Sequence, residues 1–182
     1  TQGDRTATIS YVDLAGNEGP SATSTLTLDT VAPVAVDLAA TTGTQNTASV
    51  YVNTKEATTD GGKSIAGDIQ EQSVPVDADI GTVKIVLAGA GLDKVNDKLV
   101  LDSAIVLSAD VTGSNVTIGT ITGIDYKYDS ASQTLTLTKN GGGALDATTI
   151  DDIVKAIKLS TTSTTQGDRT ATISYVDLAG NE

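Results

Sequence analysis

The sequence predicts an all-β protein, an antiparallel β-sandwich with one short helix, and three observations carry that prediction. Apolar and polar residues alternate with period 2 along most of the 182 residues, as strands with one buried face require. The composition is β-branched and glycine-punctuated, with Val, Ile, Leu, Ala and five Tyr as its apolar inventory and no Phe, Trp, Met, Cys or His. The chain also repeats itself: residues 165–182 read TQGDRTATISYVDLAGNE, letter for letter the same as residues 1–18. A domain of about 150 residues buries roughly 70% of its unfolded surface, so a core of ordinary size is expected.

The elements follow in chain order. In RTATISYVD (5–13) Ala7, Ile9 and Tyr11 share one face, and in TSTLTLD (23–29) Leu26 and Leu28 do. The Pro-containing stretch around Val31, Ala32 and Pro33 reads as a short extended linker. Further strands are predicted at 48–53, 81–89, 97–102, 115–121, 124–129 and 132–138. YDSASQT, between the last two, is a hairpin turn rich in Asp and Ser. One segment breaks the alternation. In ATTIDDIVKAIKLS, Ile150, Ile153, Val154 and Ile157 fall at i, i+3, i+4 and i+7, which predicts a two- to three-turn helix at about 146–159. Thr149 and Asp152 resemble a capping pair, Lys155 and Lys158 suit the C-terminal end, and the apolar stripe is expected in the core. The second RTATISYVD, at 169–177, supplies the next strand.

Charge and missing residue types narrow the function. Eleven Lys and Arg against 23 Asp and Glu give a net charge of −12, which disfavours nucleic acid and anionic membranes and favours cations. Apolar runs are too short for a membrane span, so no membrane insertion is expected. Without His or Cys there is no Ser–His or Cys–His nucleophile pair, and no imidazole or thiolate metal site. Paired carboxylates can hydrolyse glycosides, but a sugar cleft without Trp or Phe would be unusual. NGGGALD (140–146) lacks a phosphate-loop pattern and reads as a turn. The expectation is a protein that is not an enzyme.

The echo sets the organisation. Thr1 recurs as Thr165, a period of 164 residues, and eighteen consecutive identities point to tandem, nearly identical modules. The chain then reads as a piece of a tandem array cut out of phase, with no export signal at its start. Residues 1–30 are expected to be the last two strands and linker of one repeat. Residues 31–182 are expected to be the following repeat without its final strand, and residues 19–30 to be free to swap onto a neighbouring molecule.

TATISYVDLAGNEGPSATSTLTLDTVAP (6–33) resembles the last two strands and linker of the bacterial Ig-like repeats in very large surface adhesins. SVPVDADIGTVKIVLAGAG (73–91) resembles the DAD-containing strand region of cadherin-like modules in the same proteins. The order YDSASQTLTLT, short helix, GDRTATISYVD is similar to that class as well. The resemblance implies an Ig-like, cadherin-like sandwich acting as an extender module of a repeats-in-toxin biofilm adhesin. Type I secretion to the cell surface is implied too, with identical neighbouring repeats as partners and calcium (Ca2+) at the junctions. A period of 164 residues exceeds the common repeat length of that class, and core Phe and Trp are missing.

The acidic clusters are the candidate ligands. Calcium takes six to eight oxygens from carboxylates, amide side chains and backbone carbonyls. In a sandwich, the loop after the penultimate strand lies at the pole where the linker enters. Asp177, Asn181 and Glu182 would there approach Asp77 and Asp79, with Asp29 and Asp37 arriving from the linker. In the preceding module, Asp13, Asn17 and Glu18 would serve the same role. Asp4 and Asp168, in the QGDR turns, would form a second site or cap a turn. Asp, Asn and Gly are also the residues β-turns require, so plain turn chemistry stands beside the metal reading, as does a sugar- or protein-binding module beside the spacer.

Overall fold

The computed structural model describes residues 3–10, 14, 18, 21–28, 47–50, 61–66, 79–101 and 103–182. Its strands are β1 (Gly3–Ile9), β2 (Ala22–Leu28), β3 (Thr47–Val50), β4 (Lys63–Ser64), β5 (Ile80–Ala88), β6 (Asp97–Val100) and β7 (Ala104–Val106). They continue as β8 (Val111–Ile118), β9 (Ile121–Asp129), β10 (Thr134–Lys139), β11 (Lys158–Thr161) and β12 (Arg169–Asp177), and among the described residues one helix, α1 (Ala147–Ala156), lies between β10 and β11.

Among the described residues all pairings are antiparallel. A six-stranded sheet runs β3-β12-β5-β10-β9-β8, a four-stranded sheet runs β4-β11-β6-β7, and β1 pairs with β2. The expected all-β sandwich with one short helix is what forms. Inward residues of the six-stranded sheet (Val83, Ile85, Leu87, Leu135, Leu137, Ile173) join Leu99, Ile105 and Leu159 of the four-stranded sheet in one core. Each fully buried aliphatic side chain contributes about 1.5–3 kcal/mol relative to exposure. The missing Phe and Trp are made good by many small contributions and by Tyr128, which is 0% exposed. Its hydroxyl donates to the Leu107 carbonyl at 3.3 Å. Burial, aided by the charges of Asp129 and Asp110, pushes that phenol up to about 12.

Alternation holds strand by strand. In TLTLTK the two Leu are buried and the Thr face outward, and in RTATISYVD every second residue from Arg169 to Asp177 is buried. The YDSASQT turn joins β9 to β10 as expected, with the Asp129 carboxylate accepting from the N–H groups of Ala131 and Ser132. Departures are local. The strand expected at 115–121 is two strands, because the chain turns at Gly119 (φ 62°) and Ile118 pairs back onto Ile121. The helix starts earlier than the Thr149–Asp152 pair suggested. Asp146 is its N-cap, its carboxylate accepting from the Thr149 N–H at 2.8 Å. Its stripe of Ile150, Ile153 and Val154 is buried in the core, with Ile157 as the C-cap. Lys158, placed at the helix end by the sequence, instead begins β11, since the chain leaves the helix at Ile157 in extended conformation. The short strands β4, β7 and β11 were not anticipated; two to four residues are too few to display a period. The linker around Pro33 lies outside the described residues, as do residues 51–53 of the expected 48–53 strand. Among the described residues no helix is long and apolar enough to cross a membrane.

Candidate metal centre

The VDLAGNE loop is built by the end of β12. Asp177 sits opposite Ile80 of β5 after a register shift between Val176 and Asp177. The Leu178 N–H then donates to the Asp79 carbonyl at 2.8 Å. The segments that carry Asp79 and Asp177 therefore meet at one end of the sheet, as the sequence leads one to expect.

Beyond Asp177 the chain folds into a compact turn. The Asp177 N–H donates to the Asn181 carbonyl at 3.0 Å, and the Gly180 N–H to the Asp177 carbonyl at 3.1 Å. Gly180 has φ 92°, a conformation costly for a residue with a Cβ. The Asp177 carboxylate accepts from the Asn181 backbone N–H at 2.8 Å and from its side-chain amide at 2.7 Å. These donors, the side-chain amide first, hold its pKa below the usual carboxylate value although burial opposes them. Asp177 is only 4% exposed. The turn chemistry weighed beside the metal reading is thus realised at Asp177 and Asn181.

Glu182 is directed elsewhere. Its carboxylate accepts from Lys84 Nζ at 2.7 Å and from Ser174 Oγ at 2.9 Å, farther down the sheet. The Lys84 bond comes first among the causes that lower its pKa, followed by Ser174. Among the described residues no three acidic side chains gather as a metal group. Of the oxygens calcium asks for, these residues bring Asp79, Asp177 and Asn181 to one end, which is a fraction of a shell. Asp13, Asn17, Asp29, Asp37 and Asp77 lie outside the described residues, and Glu18 is exposed beside the β1–β2 hairpin.

Asp125 also borders this end, lining one open groove with Asp177, Lys139 and the glycines at 141–143. Its carboxylate accepts from the Asn115 N–H (2.8 Å), Ser114 Oγ (2.8 Å) and Asn140 Nδ2 (2.9 Å). The sequence places Asp125 on the outward side of β9 by parity, but only the register reveals that it lines up across the sheet with Thr138 of β10, Thr82 of β5 and Val176 of β12.

The opposite end of β12 holds a second cluster, which sequence reasoning missed. Arg169, 7% exposed, donates from Nε to Asp97 Oδ2 at 2.8 Å, and Asp97 is 0% exposed. The guanidinium also donates to the carbonyls of Thr165 and Gly167, both at 3.3 Å. Asp97 Oδ2 accepts from the Asp93 N–H at 2.8 Å. Asp93 in turn accepts from Ser163 Oγ at 2.6 Å and Asn96 Nδ2 at 2.9 Å. Those two bonds, Ser163 first, bring the Asp93 carboxyl down to about 2. Gly167 (φ 129°) permits the close passage, since a Cβ there would lie 2.7 Å from the Gly91 nitrogen. Asp168 contributes its carbonyl, which accepts from the Gly91 N–H at 3.0 Å. A signal was present: Arg169 falls on the same parity as Ala171, Ile173 and Tyr175, so a buried partner was required.

No protein-family model, curated protein or solved structure matches this chain.

Proposed function

We propose that this chain is a structural spacer from a tandem array of bacterial surface modules, exported to the cell exterior, which holds a distal binding region away from the cell. The observation that carries this reading is the identity of residues 1–18 and 165–182, one full period apart. A binding tip needs one copy of its site; a spacer gains length from each added copy. The sandwich supports the reading mechanically. β12 is hydrogen-bonded to β5 from Thr170 to Asp177 and to β3 from Arg169 to Thr172. Tension along β12 therefore loads a row of hydrogen bonds together, in shear.

Stiffness at the joint is the second element of the proposal. Bound calcium would supply a cross-link between the loop at 177–182, the Asp77–Asp79 segment and the linker acids Asp29 and Asp37. The meeting of Asp79 and Asp177 at one end of the sheet supports it. Because such an ion binds the folded arrangement and not the unfolded chain, it would also raise stability by mass action.

The test is calcium titration of a protein carrying two full 164-residue periods, followed by calorimetry and small-angle scattering. The expected result is a melting temperature that climbs with calcium and a maximum dimension that lengthens to that of a rod. A melting temperature and dimensions indifferent to both calcium and chelator would rule calcium out as the stiffening agent. A dimension that failed to grow with the number of periods would rule out the spacer.

A further inference from the structure

The slot that β12 fills cannot distinguish the two copies of its sequence. Within it Arg169, Ala171, Ile173, Tyr175 and Asp177 are buried, from 0% to 7% exposed. Arg5, Ala7, Ile9, Tyr11 and Asp13 repeat those residues, with the same neighbours from Thr1 to Glu18. Every side-chain contact that the slot offers one copy it offers the other. Yet β1 is hydrogen-bonded to β2 alone among the described strands, and Thr6–Ser10 are exposed, Ile9 by 70%. Ala171 and Ile173 are core in one copy, and their equivalents Ala7 and Ile9 face solvent in the other.

Chain length permits an exchange. Residues 19–46 lie between the first copy and β3, and 28 residues span up to about 90 Å when extended. The nine-residue slot is about 30 Å long. A connection of this length keeps both copies in one molecule, so the exchange needs no second chain.

We propose that the β12 slot accepts either copy of TQGDRTATISYVDLAGNE, so that residues 1–18 replace residues 165–182 within the same chain. Pairing predicts a consequence. β2 covers Arg5–Thr8 of β1, and β3 covers the equivalent Arg169–Thr172 of β12. With β5 on the other edge, β2 and β3 compete for one edge when the first copy enters. If the chain is a spacer, as proposed above, a module whose β12 is pulled out can refill its slot from the neighbouring copy. The exchange itself does not depend on that reading.

The full 182-residue chain tests it through four proteins: the natural sequence, Ile9→Asp, Ile173→Asp and the double variant. The structure predicts that Ile9→Asp leaves the melting temperature unchanged, because Ile9 is exposed. Ile173→Asp should keep a cooperative transition, with a loss less than half that of the double variant. In the Ile173→Asp protein, amide exchange at residues 5–9 should slow at least tenfold, with the protein sedimenting as a monomer. A loss in Ile173→Asp equal to that in the double variant would overturn the proposal. So would a rescue found only in a dimer that grows with concentration.

Discussion

RTATI occurs at residues 5–9 and again at 169–173, and the two stretches live in opposite surroundings. Both are strands. The first is half of a two-stranded hairpin whose residues 6–9 are exposed. The second is inside a six-stranded sheet, with Ala171 and Ile173 0% exposed. Identical local propensity therefore yields the same local conformation and very different energetics. The period-2 pattern specifies a strand with an apolar face; the rest of the module specifies whether anything covers it. An isolated two-stranded hairpin is marginal in water, and three or more strands over an apolar face are needed for independent stability.

This contrast can be broken most severely at the anchor that the second copy engages. Asp97→Ala leaves the Arg169 guanidinium buried against two backbone carbonyls, and should cost about 3–5 kcal/mol in urea unfolding. Next comes the covering side. Ile85 lies opposite Ile173 in register and is 0% exposed, so Ile85→Ala should cost about 2–5 kcal/mol.

Acid sharpens the comparison more gently. Asp93, beside the Arg169 anchor, has its carboxyl lowered from 3.8 to about 2 by Ser163 and Asn96. A depressed carboxylate contributes stability that is complete above its unfolded value and is lost as pH falls through its folded value. Asp110, Asp125, Asp146, Asp177 and Glu182 shift in the same direction, each through its hydrogen-bond donors. The unfolding midpoint should therefore decline between about pH 4 and pH 2, and Ser163→Ala should make that decline shallower. At the small end, Ile9→Ala should alter stability by no more than about 0.5 kcal/mol, as an exposed position permits.

Much of this architecture was legible in the sequence because long strands and the helix carry a period. β5, β10 and β12 each span enough residues to display alternation, and Ile150, Ile153 and Val154 display the helical one. The features that escaped lack a period or depend on distant pairing. The turn at Gly119 divides one apparent strand into two, since Ile118 and Ile121 flank it without interrupting the apolar pattern. The helix cap moved to Asp146 because a carboxylate just outside the first turn can accept the free N–H of Thr149. At the candidate metal centre, the approach of Asp79 to Asp177 was legible from sandwich geometry. The capture of Glu182 by Lys84 was not, because these residues are 98 positions apart and meet only through the β5–β12 register. The Arg169–Asp97 pair was announced only by the parity of each residue on its own strand, and neither strand names its partner.

Amide hydrogen exchange followed by NMR tests the central claim most directly, because the two copies share nearly the same intrinsic chemical exchange rates. Any difference in protection then reports surroundings alone. Residues 169–177 should exchange orders of magnitude more slowly than residues 5–9, because an exchange of copies in the slot gives up one of the two ladders β1–β2 and β12–β3. Equal protection in the two copies would contradict the claim.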